Sequence, residues 1–180
     1  MNISKIILIF LFVFDLFFLV LTANHYYLIS LGSVSHLFVM VINLILLLLW
    51  AIFKKLKGSL IFLCFSVSFA VILFQTFLYT LTPKKYDAIT SPLGIEKLYI
   101  AHSNFSLGET SYSYSFYQRK RYIFMKELVD QNKHFVTRDN PPGDDADMDI
   151  KMLGLDAPHW KNEKEVSFNS RQGTITIYLE

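Results

Sequence analysis

Three long apolar runs, each with its charge pushed to the ends, occupy the first 81 residues of this 180-residue chain. Residues 6–22, 34–53 and 59–81 each approach the roughly 20 residues that a helix needs to cross the hydrocarbon core of a bilayer. The expected fold class is therefore a membrane α-helical region of three transmembrane helices, followed by something different. Of 17 basic and 15 acidic residues, only four lysines and one acid, Asp15, precede Thr82. The other 13 and 14 crowd the tail and nearly cancel, so the net +2 is the mark of helix ends in a membrane rather than a footprint for nucleic acid.

The first run follows Lys5 and begins like a signal peptide. Asp15 interrupts it, however, and Leu21 stands where a cleavage site wants a small residue, so it reads as a retained helix. Asn24-His25-Tyr26-Tyr27 has the amphipathic aromatic character of a headgroup-level segment, and Lys54-Lys55-Leu56-Lys57-Gly58 is a tight basic turn. Lys5 and the 54–57 lysines lie on one side, whereas the 22–35 loop has no Lys or Arg. Despite Lys84 and Lys85, this asymmetry predicts a multi-pass cell-membrane protein with a cytoplasmic N-terminus and an extracytoplasmic C-terminal domain.

Depth along the helices follows from a rise of about 1.5 Å per residue. Counted from the lysine ends, Asp15, Asn43 and Ser66 fall near mid-membrane, while His36 and Gln75 share an outer layer. Polar groups facing lipid are costly, so these residues should turn inward as two polar layers of the bundle. Asp15 is best read as hydrogen-bonded glue with Asn43; contact with a partner helix and ion coupling remain open alternatives. Ser66-x-x-x-Ala70 supplies a small-residue face for close helix approach.

After Leu81 the texture changes. Residues 82–94, with Pro83, Pro92 and Gly94, read as a linker, and 95–180 as a small, mainly antiparallel β domain of five or six strands. Residues 95–100 predict the first strand. Ser111-Tyr112-Ser113-Tyr114-Ser115-Phe116 alternates strictly, placing the aromatics on one face. The segment 118–121 predicts a turn returning through 122–125, with a helix over 122–132 as the alternative. Val166 and Phe168 should face Ile175, Ile177 and Leu179 in a closing hairpin. Weaker strands are expected at 134–137 and 150–153.

Chemical motifs are few. Asp145, Asp147 and Asp149 have the alternate spacing of a calcium loop, but Ile150 stands where the sharp turn requires glycine, leaving at most a weak calcium site. Arg119, Lys120 and Arg121 form a basic tip, read either as a solvated turn or as a contact for anionic lipid or wall polymer. The five histidines lack metal-ligand spacing, and His102-Ser103 lacks the acid partner and nucleophile turn of a hydrolase. No catalytic residue, metal or cofactor is expected. The lone Cys64 excludes an internal disulfide, so an exported tail must fold without one. That, with the Phe/Ile/Leu-rich style, points to a low-GC Gram-positive bacterium.

The stretch from Leu107-Gly108 to Phe124-Met125-Lys126, with Trp160, Val166 and Ile177-Tyr178, resembles small, uncharacterised Firmicutes membrane proteins that carry a C-terminal β domain. The resemblance implies bacterial origin and assigns no activity or site. The expected function is non-enzymatic: an integral membrane protein presenting an extracytoplasmic module to a protein or envelope partner, with immunity to a toxin as one version. The alternative is an accessory subunit of a transporter or channel.

Overall fold

The structure is a computed structural model describing residues 3–32, 35–81, 83–107, 109–137 and 148–180, without side-chain detail at His36 and Leu107. The chain divides into two compact units, Met1–Leu81 and Thr82–Glu180.

The first unit holds α1 (Ile3–Ala23), a short extended segment β1 (Tyr26–Leu28), α2 (Ser35–Phe53) and α3 (Gly58–Leu81). These are continuous Leu/Ile/Phe/Val runs without proline, and each stops where a residue turns left-handed or the apolar run ends. After α1, His25 takes φ 60° and its amide donates to the Thr22 carbonyl. After α2, Lys55 takes φ 55°, with Leu56 N–H donating to Ala51 O and Lys55 N–H to Ile52 O, the paired bonds of a Schellman cap. Two of the three expected spans, α1 and α3, are long and apolar enough to cross a membrane. The third, α2, has the apolar stretch Leu37–Phe53 among the described residues. Helix α2 packs against both α1 and α3.

In the second unit apolar residues point inward with the period of a strand. Strands β2 (Lys85–Thr90), β3 (Lys97–Leu107) and β4 (Glu109–Arg119) form an antiparallel meander. One edge of β4 is shared: β5 (Phe124–Glu127) pairs with its C-terminal part, and β6 (Lys133–Thr137) with its N-terminal part. A single 3₁₀ turn, Val129–Gln131, lies between them. Strands β7 (His159–Asn162), β8 (Glu165–Ser170) and β9 (Gly173–Tyr178) make a second antiparallel sheet. Leu98, Ile100, Tyr112, Tyr114 and Phe116 from the first sheet meet Val166, Phe168 and Ile177 from the second, with Met152 and Leu153 of the short helix α4 (Met148–Leu153) completing the core. Burying each large apolar side chain stabilises the unit by roughly 1.5–3 kcal/mol.

The alternation of 111–116 places Tyr112, Tyr114 and Phe116 inside, as expected, and the closing hairpin pairs Val166 with Ile177 and Phe168 with Ile175. Three expectations need correction. The stretch 82–94 is not simply a linker, since Lys85–Thr90 pairs along β3 over its whole length. The strand expected at 150–153 is helical: with Met148, Met152 and Leu153 the apolar residues recur at helical spacing, and Gly154 ends the turn at φ 79°. The unit holds eight strands among the described residues rather than five or six, because β2 and β7 are short and polar enough to read as loop. Gly154 is also a point of close approach, since a Cβ there would lie 2.5 Å from the Asn169 carbonyl oxygen on β8.

Candidate functional site

Strand parity forces a titratable group into the core of the second unit. His102 shares the inward row of β3 with Leu98 and Ile100 and is 1% exposed. A buried imidazole must find partners, and both nitrogens do: Nδ1 lies 2.8 Å from Asp149 Oδ2 and Nε2 lies 3.0 Å from Asp87 Oδ2. Asp149 is also buried; Lys85 Nζ stands 3.4 Å from its Oδ2, and the Ile150 amide donates to its Oδ1. The Tyr114 hydroxyl donates to the Asp149 carbonyl oxygen at 2.5 Å, and its ring stacks on that of His102. Burial pushes the Tyr114 phenol well above its ordinary value, and the Asp149 charge pushes it further. Each ring nitrogen of His102 thus faces a carboxylate oxygen. The cluster ties α4 to β2, β3 and β4. Ser103, next in the strand, points to the opposite face, so His102 and Ser103 do not converge.

This cluster was missed in the sequence, although two signals were present. An inward-parity histidine demands a carboxylate, and Asp149 stands one residue into a stretch with helical spacing. Asp149 is thereby withdrawn from any calcium loop, because both of its oxygens are engaged inside the core. Asp145 and Asp147 lie outside the described residues. Among the described residues no group of three His, Cys, Asp or Glu side chains is arranged to hold a metal ion.

The basic tip is the turn of the β4–β5 hairpin. Arg119 and Arg121 are exposed and make no ion pair among the described residues. Lys120 instead leans on Glu180, 3.6 Å from its Oε2, beside the tighter contact of Lys126 at 2.6 Å. Beneath the tip, the buried Gln118 amide donates to Glu96 and to the Glu180 carbonyl oxygen, and accepts from the Glu180 amide. Arg119, Lys120, Arg121 and Tyr122 line a shallow depression together with Ile95 and Glu96 of the β2–β3 connection.

In the helical unit Asn43 Nδ2 donates to Asp15 Oδ1 at 2.5 Å, the contact expected from matched depths. Asn43 Oδ1 is enclosed without a partner among the described residues. Ser66 and Gln75 are half-buried on α3 and bond to no other described residue, so the inner layer is a pair rather than a trio. The side chain of His36 is outside the described set.

Comparison with protein-family models, curated proteins and solved structures finds nothing that matches this chain.

Proposed function

We propose that this is a non-catalytic, multi-pass integral membrane protein, with three helices in the bilayer and a β module displayed on the extracytoplasmic side to bind a protein or envelope component. The carrying observation is the contrast in burial: none of the apolar windows of α1 and α3 is covered, with Phe12, Phe62 and Leu63 at 67%, 72% and 62% exposure. Side chains of that kind need a hydrocarbon solvent. The apolar stretch Leu37–Phe53 of α2, interrupted by Asn43, lies within the spanning range. The sealed, fully bonded state of His102 and Asp149 supports a scaffold rather than a reaction centre. The bacterial origin suggested by the Firmicutes resemblance belongs to the same reading. Enzyme fusions test it: alkaline phosphatase joined after Glu180 should be active and joined after Lys57 inactive. The reverse pattern would overturn the topology.

A second reading, an accessory subunit of a transporter or channel, is favoured by Ser66 and Gln75, half-buried without a bond to any described residue. Gln75→Leu and Ser66→Ala should then release a co-purifying membrane partner, whereas a display module would keep its partners through both changes.

A further inference from the structure

We infer that the β4–β5 hairpin tip is an interfacial finger that seats in the headgroup layer of an anionic phospholipid bilayer; this rests on the membrane reading above. The tip sequence is Arg119-Lys120-Arg121-Tyr122-Ile123. Tyr122 is 99% exposed and Ile123 59%, in a unit that buries Tyr112, Tyr114, Phe116 and Phe168. The neighbouring 91–95 turn exposes Leu93 and Ile95, and Ile95 shares a depression with Tyr122. Apolar side chains, an amphipathic ring and cations thus converge on one edge.

The charges decide the occupant. Lys120 is compensated by Glu180, and Glu96 is held by Gln118. Arg119 and Arg121, one on each side of Lys120, have no ion-pair partner among the described residues. Guanidinium groups match phosphate oxygens bidentately. Tyrosine settles where one end of the ring is wet and the other apolar. Ile123, Ile95 and Leu93 are short enough to enter only the boundary between headgroup and acyl chain. A wall polymer would satisfy the arginines but would leave these apolar side chains in water, which favours lipid.

The test uses the full chain with Cys64→Ser, carrying spin labels at Tyr122→Cys or Ile123→Cys, with Gln172→Cys as the exposed control on the β8–β9 turn. The protein is reconstituted in nanodiscs that are wholly phosphatidylcholine or contain phosphatidylglycerol. In the anionic discs both tip labels should gain oxygen accessibility and lose accessibility to a water-soluble nickel chelate, while the control stays wet. Arg119→Gln with Arg121→Gln should weaken this seating roughly 30-fold, the scale expected for two cations at an anionic surface. Tip labels as wet as Gln172→Cys in anionic discs would overturn the proposal. So would protection produced in phosphatidylcholine discs by soluble polyglycerol phosphate but not by anionic lipid, which would assign the tip to a polymer. Labels at Phe12→Cys and Phe62→Cys separate this from failure of the parent reading: if they report hydrocarbon while the tip stays wet, only the finger is lost.

Discussion

The two units use the same apolar residues in opposite ways. In α1 and α3 phenylalanine and leucine stand outward, as at Phe62, 72% exposed, whereas in the β unit Phe116 and Phe168 are fully covered. Polar groups invert as well. The helices enclose an Asp15–Asn43 contact between themselves, and the β unit buries few large polar side chains, among them Gln118 and the pair His102 and Asp149. A core in water is held by expulsion of apolar surface; helices in lipid lack that drive and depend on packing and a few internal hydrogen bonds. On the membrane reading proposed above, burial alone does not rank residues here, because the solvent would differ between the units.

The largest break in the comparison should come from one substitution made in each unit. Phe168→Ala should cost about 3–5 kcal/mol of β-unit stability through the cavity it leaves. Phe62→Ala, on an uncovered face, should change stability by no more than about 0.5 kcal/mol. Denaturant unfolding of the full chain in detergent, followed through Trp160 in a Trp50→Phe background, reads the first. Equal costs at the two sites would sink the contrast.

The buried ionic cluster comes next. Asp149→Ala leaves His102 and Lys85 without their shared carboxylate and should cost about 3 kcal/mol. Replacing both members, His102→Leu with Asp149→Leu, should cost clearly less than the sum of the two single changes. Additive costs in the double-mutant cycle would show that the pair is not coupled.

Gly154→Ala should follow at about 2 kcal/mol, since it combines a left-handed backbone with a Cβ pressed onto a strand carbonyl. Thermal unfolding of the full chain reads it, and an unchanged midpoint would mean that α4 can move off β8 freely. Gly154 also marks the limit of what the sequence could reveal. The alternation through Tyr112, Tyr114 and Phe116 and the hairpin of Val166 and Phe168 were legible, because a face buried on one side repeats every second residue. So was the depth match of Asp15 with Asn43, since helix rise is fixed. Strand β2 was not, because Lys85-Tyr86-Asp87-Ala88 carries charge at inward positions that make sense only once His102 on β3 meets Asp87 and Asp149 on α4 meets Lys85. Asp149 was hidden for a related reason: a run of aspartates reads as a solvated loop until helical spacing draws one of them into the core.

In the helical unit the corresponding loss should be smaller. Asn43→Leu removes the contact with Asp15 and should cost about 1 kcal/mol, in keeping with interhelical hydrogen bonds in membranes. Detergent thermal stability of the helical unit, read through Trp50 in a Trp160→Phe background, checks this. A loss as large as that of Asp149→Ala would mean that the Asp15–Asn43 pair does the work of a buried cluster in a water-facing core.

The smallest effect lies at the surface of the β unit, where charge is cheap to solvate. The hydrogen bond from Lys126 holds the Glu180 carboxyl below its usual range; burial opposes this slightly, and the charges of Lys126 and Lys120 add to the lowering. A depressed carboxylate stabilises the fold at pH above its unfolded value of about 4.3, and the contribution fades as pH falls through the lower folded value. Because the Glu180 side chain is 52% exposed, solvent screening limits the gain to a few tenths of a kcal/mol. Glu180→Gln should therefore be slightly less stable than the parent at pH 6, with the two converging near pH 3. A gap that widened on acidification would reverse the sign and remove Lys126 as the cause. Since Glu180 also braces Lys120, the same variant leaves three unpaired cations at the tip instead of two, so seating on anionic lipid should tighten as the fold loosens.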